Sequence, residues 1–344
     1  MTSKRLFALD FIRSLSIIFI ILFHFNEWIG RRISSDLVLF SSYTLLGTVG
    51  VSLFVILSGA SLSLSSLSQF SISRFYWKRF LAIFPLFYIS YLFVLLMNNI
   101  FLERVLFPAR APVSFLLTVV GFDGFLLFKI KTYYLIGEWF LGLIIILYIV
   151  YPVIRFVFIK NMLMTLCFAA GISLTVYYYY AIPMSIFRFP PIRLFEFVLG
   201  MYLMTVFNMP SRKNLIIGII LSSCFIAVCL YSEFGKLLYV RFILLGSATY
   251  IFLYCAASFF DAGWLRPSIN FLSKYSYGAF LVHHQFIYGV PIHYYKSFIV
   301  DKYSNVIFFL ISLSVIYSIS FVLTNITTLI LSRQIKYISP KEEK

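Results

Sequence analysis

Apolar residues run along this chain in blocks of about twenty, separated by short polar stretches, a length that matches the hydrocarbon thickness of a bilayer. The blocks predict ten membrane-crossing helices, near 7–28, 43–64, 80–101, 139–159, 162–180, 192–209, 214–232, 239–260, 275–293 and 305–331. An eleventh apolar stretch, 113–128, is shorter, contains Gly121, Asp123 and Gly124, and is bracketed by Pro108, Pro112 and Lys129. Ahead of the third block, SISRFYWKRF (71–80) sets aromatics among three basic residues, as in an interfacial helix. No repeat or low-complexity linker interrupts the pattern. The expected architecture is all-α, one polytopic domain spanning 1–344.

Composition sharpens this reading. The 344 residues are 62% hydrophobic and 12% charged, about half the charge content of soluble domains. A formal charge of +16 raises the possibility of a nucleic-acid binder, but Lys and Arg lie in short clusters between apolar blocks. The positive-inside rule accounts for that placement without a nucleic-acid partner. Lys4/Arg5, Arg74/Lys78/Arg79, Arg155/Lys160, Arg212/Lys213, Arg266/Lys274 and Arg333/Lys336 all fall on one side if 113–128 does not cross. That stretch is therefore expected to be re-entrant or to lie in the outer interface. Both termini are then cytoplasmic, including the tail 335–344, although Arg31/Arg32 and Arg104/Arg110 stay on the outer side. The opening MTSKRL and the apolar run after it look like a secretory leader, but no small-residue cleavage site follows, so the run reads as a retained first span. Cys167, Cys224, Cys229 and Cys255 sit in apolar blocks without CxxC spacing and read as packing residues.

Ionisable side chains inside such blocks are costly and mark candidate chemistry. The first block carries Asp10, Arg13 and His24. Eleven residues of α-helix turn about 1100° and rise about 16 Å, so Arg13 and His24 share a face three turns apart, while Asp10 and Arg13 can pair. GVSLFVILSGASLS (50–63) is rich in small residues, as at a close helix contact. In WKRFLAIFP (77–85), Lys78 and Arg79 are either topology and headgroup contacts or a grip on the phosphates of a bulky anionic donor. Glu138 and Trp139 open a block on its outer side. Trp139 suits an aromatic belt, and Glu138 suits orienting a histidine or holding a sugar hydroxyl. Arg193 and Glu196 are spaced to satisfy each other. His283 and His284 lie in or near a block, where one can face a cavity and the other a neighbour's carbonyl; no carboxylate or third His at a ligand spacing supports a metal there.

Taken together, LDFIRSLSIIFIILFH (9–24), GVSLFVILSG (50–59), FYWKRFLAIFP (75–85), EWFLGLIIILYIVYP (138–152), FEFVLG (195–200) and YSYGAFLVH (275–283) resemble, in order, the motifs of the bacterial acyltransferase-3 family. The resemblance implies a ten-helix enzyme of the bacterial plasma membrane. Such an enzyme moves an acyl group, most often acetyl, from cytoplasmic acyl-CoA to a hydroxyl of a surface or capsular polysaccharide or its lipid-linked precursor. It implies no bound cofactor, with acyl-CoA as co-substrate. Arg13 and His24 match the family's essential pair. Beside that pair, the reading of the residues themselves puts Lys78 and Arg79 at the donor and Asp10, Glu138, Trp139 and His283 at the acceptor or in support. Where the family commonly has a second Arg, three residues after Arg79, this chain has Ala82. The extracytoplasmic hydrolase-like domain that some members append is not expected here, so one membrane domain is expected to do both binding and transfer.

Sugar acylation needs a base for the hydroxyl proton and fixed donors for the oxyanion, tasks that suit His24 and an Arg or second His. Because Arg13 is three turns from His24, separate duties are expected, Arg13 toward the donor and His24 toward the acceptor. A glycan transporter would instead show inverted repeats with matched broken helices, and 113–128 has no counterpart. A glycan polymerase would carry larger outer loops.

Overall fold

Each predicted block is occupied by one long helix in a computed structural model of the chain, which describes residues 3–39, 43–65, 70–102, 112–133, 136, 139–181, 184–206, 212–231, 238–289, 298 and 301–338. In chain order these are α1 (Ser3–Arg32), α2 (Tyr43–Ser65), α3 (Ile72–Leu102), two short helices α4 (Phe115–Val119) and α5 (Asp123–Leu126), α6 (Trp139–Lys160), α7 (Met162–Tyr178), α8 (Pro190–Val206), α9 (Arg212–Tyr231), α10 (Leu238–Phe260), α11 (Arg266–Gly289) and α12 (Lys302–Ile338). No strand occurs among the described residues. The basic segment before the third block is the first turns of α3, not a separate interfacial helix.

By length and hydropathy, six described helices can cross a membrane: Phe7–Arg32, Tyr43–Ser63, Ile72–Met97, Trp139–Lys160, Val240–Phe260 and Lys302–Ser332. This chain is an all-helical membrane protein. The remaining long helices fall below that threshold for physical reasons. Helix α7 has 17 residues, a rise of about 25 Å against roughly 30 Å of hydrocarbon. Helix α8 is equally short, 17 residues, and carries Arg193 and Glu196, while α11 carries Arg266, Lys274, His283 and His284, which lower its hydropathy.

The 113–128 segment forms α4 and α5, five and four residues long, each too short to cross. Gly121 breaks them with φ +75°, a conformation that costs glycine nothing. Asp123 opens α5 fully buried, accepting from Thr118 Oγ1 at 3.2 Å and from the Gly124 amide at 3.2 Å. Burial pushes its carboxyl up to about 6.

Helix α2 is central and packs against α8, α1 and α10; α7 backs α8, α9 backs α10, and α11 lies between α1 and α12. The α2–α8 contact uses the small residues that the sequence flagged. Gly59 faces the Phe197 carbonyl and Gly200 faces the Ile56 carbonyl so closely that a methyl at either position would enter the opposite backbone. Helices α1 and α11 run in the same direction: Ser14 Oγ donates to the Ile269 carbonyl at 3.2 Å, Asp10 accepts from Ser273, and Glu27 accepts from Tyr288.

Gly200→Ala should part α2 from α8 at a cost of about 1–3 kcal/mol, the usual scale of overpacking, read as a lower melting temperature of the detergent-solubilised protein. An unchanged melting temperature would show that the crossing does not depend on backbone approach.

Candidate active site

Helix α1 carries two polar stations on one side. Near its start, Arg13 Nη1 donates to Asp10 Oδ1 at 3.0 Å and to Ser273 Oγ at 3.1 Å, and Ser273 Oγ donates to Asp10 at 2.6 Å. Three turns on, His24 Nδ1 lies 3.3 Å from the Tyr288 hydroxyl, which donates to Glu27 Oε2 at 3.0 Å. Tyr288 has one hydroxyl proton and spends it on Glu27, so His24 Nδ1–H donates to the tyrosine oxygen. Nε2 then keeps the lone pair that a base needs. Glu27 also pairs with Arg31 at 2.8 Å, which compensates its charge.

Each station opens into a cavity. The first, about 390 Å³, is lined by Arg13, Arg79, Lys274, Ala82, Tyr148 and Ser58 among others. It is cationic. Arg13 is balanced by Asp10, but no carboxylate is among the described residues that line the space. The Arg79 guanidinium sits 5.6 Å from the Tyr148 ring and 6.0 Å from Phe75, and its buried Nε has no hydrogen-bond partner among the described residues. Lys78, one residue away, is exposed and does not line the cavity. Adjacent residues on a helix point about 100° apart; of the expected Lys78–Arg79 pair, Arg79 lines the cavity and Lys78 does not, and Lys274 of α11 lines it as well.

The second cavity, about 430 Å³, is lined by His24, Glu27, Trp139, Arg188, Arg193, His284 and Tyr288 among others. The His24 and His284 rings are 4.5 Å apart and edge-on. His283, the expected support residue, is fully buried behind this wall with Nδ1 2.7 Å from the Phe280 carbonyl, and its ring lies 5.2 Å from that of His24. Of the two histidines, then, His284 faces the space and His283 faces a carbonyl. Arg188 lies 5.4 Å over the Trp139 ring. Glu138 lies outside the described residues.

The wall itself holds a buried ion pair. Arg193 and Glu196, 1% and 0% exposed, meet at 2.7 Å. Arg193 also donates to Ser52 Oγ at 3.1 Å and to the Phe187 carbonyl at 2.9 Å, tying α8 to α2 and to the preceding turn.

A cationic chamber at one station of a membrane helix and a histidine chamber at the other suit a reaction that carries a group between a charged donor and a hydroxyl. The sequence model of the acyltransferase-3 family, an acyltransferase domain, matches residues 6–325. The chain belongs to this family. No curated protein and no solved structure matches it. The match covers both cavities of this membrane acyltransferase, from Arg13 through Tyr288. Glu27, Tyr288 and Arg188 line the His24 cavity and Lys274 lines the Arg13 cavity, and none of the four stands out in the sequence as a candidate for chemistry. Glu27 stands three residues after His24, on the same helical face, and that spacing alone could have flagged it.

Removing one partner of a buried pair strands a charge. Glu196→Ala should therefore destabilise the acyltransferase by about 3–5 kcal/mol, and adding Arg193→Met should recover much of that loss. Thermal melts of the single and double variants check this; equal melting temperatures would deny the pair a structural role.

Proposed function

We propose that this acyltransferase moves an acyl group, acetyl above all, from cytoplasmic acyl-CoA to a hydroxyl of a surface or capsular polysaccharide or its lipid-linked precursor. The observation that carries the reading is the division of labour along α1, with cations and no lining carboxylate around Arg13 and, three turns on, the His24 imidazole held through Nδ1 by Tyr288. Arg79 and Lys274, with Arg13, suit the phosphates of coenzyme A. Lys274 supplies a cation in the cavity that Ala82 lines, the position where the family commonly has arginine.

In the transfer, His24 Nε2 takes the proton of the acceptor hydroxyl as its oxygen attacks the thioester carbon. The C–O bond forms and the C–S bond breaks. His24 then returns the proton to the leaving thiolate, giving coenzyme A and the acyl ester. His284 and Arg188 line the same cavity and supply N–H donors for the tetrahedral oxyanion. Trp139, under Arg188, offers an aromatic face to the sugar.

The parallel run of α1 and α11 supports the ten-crossing topology. A chain that leaves α1 on one side must return an odd number of times before α11 starts on the first side again. Helices α2, α3 and α6 to α10 number seven, which satisfies that parity; counting the α4–α5 segment as a crossing makes eight and reverses α11. Both termini then sit with the Arg13 cavity on the cytoplasmic face.

His24→Ala should lower transfer by about 10²–10⁴-fold with normal membrane abundance. The assay is NMR of purified surface glycan before and after mild base: loss of base-labile acetyl signals in the variant fits the reading, and loss of the whole polymer would favour export or polymerisation instead. In the donor cavity, Lys274→Ala should raise the KM for acetyl-CoA several-fold with little change in kcat, and Lys78→Ala should leave both alone. The reverse pattern would restore the donor to the Lys78 face.

A further inference from the structure

Two residues line both cavities, Phe140 of α6 and Phe280 of α11. Their rings meet edge to face with centroids 5.7 Å apart, and both are buried. Phe54 of α2 backs Phe140 at 5.9 Å. Helices α6 and α11 are not among the closely packed helix pairs, so the two rings, rather than backbone contact, close the space between them. The Arg13 chamber and the His24 chamber are thus separated by an aromatic septum two side chains wide.

The inference rests on acyl-CoA being the donor. Its phosphates belong with Arg13, Arg79 and Lys274, and its thioester carbon must reach His24, about 16 Å further along α1. Only the thin end of the donor can make that passage, acyl group first, between Phe140 and Phe280. We propose that this pair selects the acyl group by its cross-section. A linear acyl chain is no wider than the pantetheine that follows it, and it can slip past once either ring turns about its side-chain torsions. A branched or aromatic acyl group must displace both rings at once, and Phe54 blocks the retreat of Phe140. The pair is a specificity device that touches the passing substrate; the proton transfers stay with His24.

The test uses membrane vesicles containing the full chain and its native acceptor, with release of the coenzyme A thiol followed for acetyl-CoA, isobutyryl-CoA and benzoyl-CoA and the rate of vesicles lacking the protein subtracted. The wild type should favour acetyl-CoA over benzoyl-CoA by about 100-fold in kcat/KM, and Phe140→Ala and Phe280→Ala should each narrow that ratio by about 10-fold or more. Phe140→Leu and Phe280→Leu, which keep the apolar bulk and so the fold, should shift the ratio for isobutyryl-CoA in the same direction by a smaller factor. Turnover of acetyl-CoA with ratios unchanged in all four variants overturns the septum and leaves the donor assignment standing. A wild type that consumes none of the three esters overturns the donor assignment, and the septum with it.

Discussion

The site depends on one constraint, the need of polar side chains inside an apolar bundle to find partners on a neighbouring helix. Helices α1 and α11 meet that need by lying parallel and in step. Asp10, Arg13 and Ser273 satisfy one another at one station, and His24, Tyr288 and Glu27 do so at the other. Arg13 faces Ser273 and His24 faces His284, the same sequence offset at both stations, so the two helices keep register over three turns. In lipid, a slip of either helix would strand several polar groups at once. The spacing of the two stations, and with it the reach demanded of the substrate, is therefore held by hydrogen bonds that also hold the fold.

The rest of the bundle holds that pair in place. Helix α2 lies against α1 on one side and against α8 on the other, where Gly59 and Gly200 let the backbones touch. Close approach brings Ser52 within reach of Arg193, so the guanidinium of the Arg193–Glu196 pair gains a partner on α2, while Glu196 Oε1 is buried without a hydrogen-bond partner among the described residues. The buried pair and the glycine contact support each other, since a wider crossing would pull the hydroxyl from the guanidinium. Arg193 also faces the His24 cavity, which places one end of this structural pair in that cavity's wall.

Much of this was readable from local pattern. The apolar blocks located every long helix, since a bilayer imposes a length on each, and the interruption at 113–128 corresponds to the turn at Gly121. The period of the α-helix put Arg13 and His24 on one face, as found. What the sequence hid depends on tertiary placement. Lys274 stands some 200 residues from Arg79 and joins it only because α11 packs against α3. Phe140 and Phe280 are two of 41 phenylalanines, and nothing in their local sequence marks the pair that meets between cavities. The adjacent pairs Lys78/Arg79 and His283/His284 are a different case. In each pair one residue lines its cavity, Arg79 and His284, and which one does so is decided by neighbours.

The electrostatics of the two chambers give the proposed transfer its direction. The carboxylate that lines the His24 chamber, Glu27, is compensated by Arg31, and Arg188, Arg193 and aromatic rings line much of the rest. The Arg13 chamber has cations in excess of carboxylates, with the Arg79 Nε buried and unmet among the described residues. A multiply phosphorylated donor would favour the second environment, because no carboxylate among the described lining residues opposes it there, whereas the His24 chamber presents Glu27 beside Arg188 and Arg193. In the proposed transfer the charged end of such a donor stays anchored while its neutral thioester end reaches His24. Anchoring at one station and reaction at the other turn the three turns of α1 between Arg13 and His24 into the ruler of the reaction.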